Sequence, residues 1–236
     1  MNQSSLLRCN LEEIDNLKEL DVVAKRLFCF GFSGRDQEEV ANHIKQLEPM
    51  GIAPPKKTPL LMEVAPYLLC TTNTIKVQGN FTSGEVEFVI IPEKDSDDFF
   101  IGVGSDHGDL EVEKVDVAMA KQMAPKILGS KLWRFSEIKN HWDEIVMRSW
   151  VKDKTNQNRY LYQQDKVEAM MHPNEIIKYY KQWVGNNLDD IVIYSGTISA
   201  LGELVYPNYF ACELYDPILD RTIGLSYNIE SFKRSH

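Results

Sequence analysis

The sequence predicts an α+β fold in which a strand-rich core is interrupted irregularly by helices. Three observations lead there. Short apolar runs of β-type composition recur along the chain, the helical patterns between them follow no βαβ alternation, and turn signals rather than long linkers join the pieces. With 236 residues and 43% hydrophobic content the chain can bury a large core, and its composition calls for no more than one domain, 1–236.

The first 30 residues read as a poorly defined lead-in, with a short helix or loose segment to Leu20 where Leu and Ile mix with Glu, Asp and Asn. Arg26 to Phe32 is a strand ended by the Ser33-Gly34 turn signal. From Asp36 to Leu47 the apolar positions Val40, Ile44 and Leu47 recur at helical spacing behind an acidic first turn, which suits the positive end of a helix dipole. Pro54, Pro55 and Pro59 then dictate a rigid loop, since proline removes a donor and fixes its own backbone.

Short β-type pieces follow over Leu61–Val64, Tyr67–Thr71 and Thr74–Val77. Helices are predicted over Val115–Met123 and Ser136–Trp150, the second with Ile138, Trp142, Ile145, Val146 and Trp150 on its apolar side. A polar stretch between Val151 and Tyr160 reads as an exposed hairpin loop. Val167–Met171 and Glu175–Trp183 read as helical pieces split by His172-Pro173, and Ile191–Tyr194 as a buried strand. Tyr209–Tyr215 and Thr222–Ile229 form the last strand pair, across an Asp216-Pro217 turn.

Ser83 to Glu113 carries the chemistry. Two apolar runs, Val86–Ile91 and Phe99–Val103, flank a polar turn segment and predict a β-hairpin. If Pro92 faces Phe99, then Glu85 faces Asp106, and alternation places Glu87 on the same face as Glu85. Opposite residues lie about 5 Å apart and diagonal ones about 7–8 Å, so three anions meet at one point. Carboxylates gathered beside an apolar strand raise one another's pKa, and a cation is the natural compensation. Hard oxygen ligands of this kind suit Mg²⁺, Mn²⁺ or Ca²⁺ rather than Zn²⁺. The alternative is a solvated acidic hairpin end, because a one-residue change of register moves Asp106 to the opposite face.

Composition narrows the partners. A net charge of −9 argues against nucleic acid or an anionic membrane surface, and the apolar stretches are too short to span a bilayer. A small metabolite or another protein remains. The four cysteines, widely spaced and without CxxC, read as reduced core residues of a cytoplasmic protein. GxSxG, Walker A, HExxH and dinucleotide-binding GxGxxG signatures are all absent. Taken locally, His43 is a helix-face histidine, Lys121 a solvated lysine, Gly196-Thr197 a turn, and alternation points His107 away from the acidic face.

In order, these motifs resemble the fumarylacetoacetate hydrolase superfamily over roughly Gly31 to Ile229. SGEVEFVI with GVGSDHGD matches that family's Glu-x-Glu on one strand and Asp on a later one, which implies Glu85, Glu87 and Asp106 as ligands of Mg²⁺ or Mn²⁺. Asp106 follows Glu87 by 19 residues, a shorter separation than usual that a trimmed hairpin explains. RDQEEVANHIKQL before a proline-rich segment resembles the family's lid helix and implies His43 in water activation. Many members carry a Glu one turn later, where this chain has Gln46. A neutral amide accepts no proton at neutral pH, although it can position water.

AKQMAP resembles the family's lysine segment and implies Lys121 in substrate or enolate stabilisation. The stretch from YLYQQ to SGTISALGE resembles the one leading to the family's Gly-Thr motif, with Ile198 in place of the usual Pro. It implies Gly196 and Thr197 as carboxylate-binding residues and Gln163 as a pocket residue, with Arg35 helping to hold anionic groups. The fold implied is a mixed β-sandwich roll with peripheral helices, and the partners implied are a small oxo acid and a second copy in a homodimer. The activity implied is hydrolytic C–C cleavage of an acylpyruvate or other β-dicarbonyl acid. Decarboxylation, isomerisation or hydration on the same site, or metabolite binding without catalysis, are the alternatives.

Overall fold

The structure, a computed structural model, describes residues 4–47 and 54–233. In chain order its strands are β1 (Ser5–Glu13), β2 (Asn16–Ala24), β3 (Arg26–Gly31), β4 (Leu60–Val64), β5 (Leu69–Cys70), β6 (Thr74–Val77), β7 (Thr82–Ser83), β8 (Val86–Pro92), β9 (Phe99–Asp106) and β10 (Gly108–Asp109), followed by β11 (Lys126–Arg134), β12 (Val146–Lys152), β13 (Tyr160–Lys166), β14 (Ile191–Tyr194), β15 (Tyr209–Asp216) and β16 (Arg221–Ser231). The helices are α1 (Gln37–Leu47), α2 (Leu110–Glu113), α3 (Val117–Gln122), α4 (Phe135–Ile138) and α5 (Pro173–Trp183).

A large sheet runs β2-β1-β11-β9-β8-β14-β3-β4, with β5 also paired to β11, and a second runs β13-β12-β15-β16-β6. Parallel and antiparallel pairs mix in both. This is the mixed sandwich roll that the motif order implies. β8 shows how it is filled. Val86, Phe88 and Ile90 join a core shared with Met147, Phe210 and Leu214 of the second sheet. Val89 and Ile91, on the opposite face, join a core built wholly from strands of the large sheet, with Leu11, Val22, Leu27, Leu132 and Val192. A sheet that encloses a core with its own strands has to curl. Because both faces of β8 are buried, it reads as a continuous apolar run.

Two local expectations are corrected. Residues 5–24 are no lead-in. They form a β-hairpin paired along its whole length, from Ser5 opposite Ala24 to Glu13 opposite Asn16, and β1 lies parallel to β11 in the large sheet. Its mixed composition is that of strands half facing solvent, with Cys9, Leu11, Val22 and Ala24 buried and Arg8 and Asp21 outside. The predicted helix over 136–150 is helical only through α4 and a 3₁₀ turn to Glu144. From Val146 the burial alternates, with Met147, Ser149 and Val151 inside, so the period of two of a half-buried strand replaces the helical period. Tyr67–Thr71 likewise holds a 3₁₀ turn and only two strand residues.

The remaining elements follow their local chemistry. Asp36 caps α1, its Oδ1 accepting from the N–H groups of Glu38 and Glu39 at 2.8 and 3.2 Å. Asp109 caps α2 in the same way, accepting from Glu111 and Val112. No helix among the described residues is long and apolar enough to cross a membrane.

Candidate metal centre and active site

The hairpin of β8 and β9 has the register that the sequence predicts. Pro92 faces Phe99, Glu87 faces Gly104, and the Asp106 N–H donates to the Glu85 carbonyl at 3.1 Å. Glu87 and Asp106 share the side of the hairpin that carries Val89 and Phe100, toward the interior of the curled sheet. One oxygen from each of Glu85, Glu87 and Asp106 lies within 4.8 Å of the others. Asp106 is wholly buried, Glu87 is 1% exposed, and Glu85 opens toward the cavity.

Two ammonium groups answer this charge. Lys121 Nζ lies 2.6 Å from Glu85 Oε2 and 3.1 Å from Asp106 Oδ2, with Glu113 Oε1 at 3.8 Å. Lys126, also wholly buried, sets its Nζ 2.8 Å from Asp106 Oδ1 and donates to the carbonyls of His107 and Ala124 at 2.7 and 3.1 Å. Burial pushes the Asp106 carboxyl up, but Lys121 and Lys126 outweigh it and hold the group below its ordinary range. For Glu87 burial and the Asp106 charge win, and its pKa rises well above that of a free carboxyl despite Lys121 and the Gly196 N–H. Burial also opposes the Lys121 charge, yet Asp106, Glu85 and Glu113 keep this ammonium firmly protonated.

These residues fit a divalent cation. They supply three hard oxygen donors at one point, and two of the three carboxylates are buried, where a cation offsets their mutual repulsion. Glu85, Glu87 and Asp106 would hold the ion.

A cavity of about 370 Å³ opens onto this point, lined by the first turn of α1, by Glu85, Glu87, Glu113 and Lys121, and by the loop from Gly196 to Leu201. Gly196 is required where it stands. Its φ is +87°, a Cβ would lie 2.1 Å from Ser33 Oγ, and its N–H donates to Glu87 Oε2 at 2.8 Å. The Thr197 hydroxyl donates to the Val86 carbonyl at 2.7 Å and accepts from Gln163 Nε2 at 2.9 Å. The Gly-Thr motif is thus tied to the start of β8 and brought beside the triad.

Gln163 stands behind this wall rather than in the cavity lining. Its Oε1 accepts from the Val86 N–H and the Ser149 hydroxyl, and its Nε2 donates to Thr197 and to the Ile198 carbonyl, so all four of its bonding positions are used. Arg35 is not brought to the triad either. Its guanidinium forms a bidentate pair with Asp143 at 2.7 and 3.0 Å and donates to the Met170 carbonyl at 3.2 Å. Positions 43 and 46 lie on α1, one and nearly two turns beyond the cavity-lining Glu39, and the side chains of His43 and Gln46 fall outside the described part of the structure. His107 points away, its Nδ1 3.0 Å from the Tyr227 hydroxyl, and burial pushes its pKa down to about 3.

Two residues at the site escape a reading of the sequence. Lys126 opens an apolar strand, where a lysine followed by Ile127 and Leu128 is the one visible signal of burial. Glu113 closes an acidic run that looks solvated, but α2 turns it back into the cavity, where burial raises its pKa to about 7. The folded protein therefore keeps this proton up to about pH 7, whereas an unfolded chain loses it near pH 4.3. Between those values the folded state binds more protons, so stability falls as pH rises and levels off above about 7. Without divalent cation, Glu113→Gln is expected to gain stability over the parent chain from pH 5 to pH 8. A difference in denaturation midpoint that stays constant across that window would contradict the assignment.

Solved structures share this architecture. The chain superposes on Cg1458 bound to an inhibitor with a TM-score of 0.66 at 13% identity, covering 92% of this chain and 81% of that one. A Burkholderia cenocepacia protein assigned as a fumarylpyruvate hydrolase gives 0.61 at 15% identity, with 97% of each chain covered. A 2-keto-3-deoxy-D-arabinonate dehydratase complexed with magnesium and 2,5-dioxopentanoate gives 0.60 at 11% identity, covering 89% of this chain and 74% of that one. No curated protein matches in sequence. The family model described as "Protein of unknown function (DUF2848)" matches residues 30–227, and the chain belongs to that family, on a fold of the fumarylacetoacetate hydrolase type.

Proposed function

We propose that the protein is a divalent-metal-dependent enzyme acting on a small oxo acid, and that its reaction is hydrolytic cleavage of a C–C bond in an acylpyruvate or related β-dicarbonyl acid. The observation that carries this reading is the convergence of Glu85, Glu87 and Asp106, the last two buried, beside a cavity of small-molecule size. Mg²⁺ or Mn²⁺ suits this donor set, and when bound it supplies Lewis-acid stabilisation of an enolate. The magnesium reported with the structurally similar dehydratase supports the choice of ion.

The chain's own groups divide the remaining work. The Lys121 ammonium lies where it can face negative charge developing on the substrate. The Gly196–Thr197 loop forms the wall against which the substrate carboxylate rests, and Gln163 positions that wall. His43, on the helix whose first turn lines the cavity, is the candidate for moving a proton or orienting water. Arg35, expected to help hold anionic groups, is engaged in its bidentate pair with Asp143.

Gln46 favours a second reading on the same residues. An amide in place of a carboxylate weakens water activation, and decarboxylation, isomerisation or hydration needs no strongly activated water. Release of a carboxylic acid, of CO₂ or of neither, measured across a panel of 2-oxo acids with Mg²⁺ and Mn²⁺, separates the reactions. Glu85→Gln is expected to lower turnover at least 10³-fold while the fold persists, and Asp106→Asn to do so with an added loss of stability, because it leaves the buried Lys126 ammonium without its counter-charge. Absence of metal-dependent turnover on every member of the panel would overturn the proposal. A homodimer, which the motif resemblance implies, forms part of the same proposal and is read directly from the solution mass.

A further inference from the structure

The charges around the cavity describe the substrate further. Six carboxylates line it, those of Asp36, Glu39, Glu85, Glu87, Glu113 and Asp165, whereas Lys121 is the one lysine or arginine among the described lining residues. Lys121 is already engaged, between Glu85 and Asp106, and the nearby Arg35 is bound to Asp143. Away from the triad, the polar part of the wall is made by Asp36, which caps α1, by Glu39 in its first turn and by Gln164, Asp165 and Ser199, beside apolar Phe30, Val40, Met170 and Leu201. The N-terminal ends of α1 and α3 both reach the lining, and each is already capped by an aspartate, Asp36 accepting from Glu38 and Glu39 and Asp116 from Met119.

Among the described lining residues, a second carboxylate at the far end of a substrate would therefore meet like charge and no free cation, while a hydroxyl, amide or ammonium would find acceptors. We infer that the substrate is anionic at one end only, the oxo-acid end beside the triad, and that its far end is polar and uncharged or cationic. This inference rests on the oxo-acid reading above and narrows it. Dicarboxylates such as unsaturated acylpyruvates that end in a second carboxylate are disfavoured. Because Asp36, Glu39 and Asp165 are open to solvent, the discrimination is long-range and weakens with salt.

The test is calorimetric titration of the Mg²⁺-loaded protein with three five-carbon probes, 2-oxopentanoate, 5-hydroxy-2-oxopentanoate and 2-oxopentanedioate. At low ionic strength the first two are expected to bind at least tenfold more tightly than the dicarboxylate, a difference of about 1.4 kcal/mol. Asp165→Lys, and independently Glu39→Lys on another element, should each shift the ratio about tenfold toward the dicarboxylate. The inference is overturned if the dicarboxylate binds equally or more tightly, or if neither charge reversal moves the ratio. Magnesium-dependent binding that favours the dicarboxylate would sink this inference and leave the oxo-acid reading standing. Failure of all three probes to bind with magnesium would remove both.

Discussion

Lys126→Met is expected to be among the most destabilising single substitutions in the molecule, at about 3–5 kcal/mol. Lys126 and Asp106 are both wholly buried and 2.8 Å apart, so removing the ammonium leaves a carboxylate without its closest compensation in a low-dielectric interior. The carbonyls of His107 and Ala124 lose their donor in the same step. In a chain of this length each kcal/mol moves the thermal midpoint by roughly 2–4 °C, so a fall of about 10 °C is the expected scale. Mg²⁺ should recover part of that loss by replacing the missing positive charge. Lys126→Met combined with Asp106→Leu should be less damaging than the sum of the two changes, because the pair is then removed together. Midpoints from chemical and thermal denaturation decide the matter, and a single-variant loss below 1 kcal/mol would show that Lys126 does not hold the site together.

Lys121→Met is expected to move two properties in opposite directions. The ammonium sits between Glu85 and Asp106, within the space their oxygens would share around a divalent ion, so it competes with that ion for the same charge. Its removal should tighten Mg²⁺ or Mn²⁺ binding at least tenfold by titration calorimetry while turnover falls at least 10²-fold. Without divalent ion the variant should melt at lower temperature, since Glu85, Asp106 and Glu113 lose their shared cation. Weaker metal binding in the variant would mean that Lys121 organises the carboxylates rather than competing for them.

The triad was legible in the sequence because strand alternation and a centred hairpin are strong rules, and β8 and β9 obey both without a bulge between them. Sequence reasoning failed where the burial period changes within one segment. The run from Phe135 to Lys152 begins with helical spacing and ends with alternation, and only tertiary packing of β12 between β13 and β15 reveals the change. The N-terminal hairpin was missed because its turn, Ile14-Asp15, has neither glycine nor proline to announce it. Lys121 looks like any surface lysine in a local window, and Lys126 differs only in the apolar residues that follow it. Their burial depends on carboxylates 8 to 36 residues earlier in the chain, a relation no periodicity encodes. Arg35 shows the converse, since its position fits a substrate contact until Asp143, far along the chain, takes its guanidinium.

The N-terminal hairpin also separates two boundaries that are easily taken as one. The family match begins at residue 30, yet β1 and β2 supply Cys9, Leu11, Val22 and Ala24 to the core that the large sheet encloses, and β1 holds one side of β11. β11 is the strand that starts at Lys126. A chain cut at the family boundary would keep every residue of the triad and lose the staves that close the barrel-like curl behind it. What is inherited as a motif is therefore smaller than what must fold as a unit, and the hairpin, remote from the chemistry in sequence, forms part of its foundation.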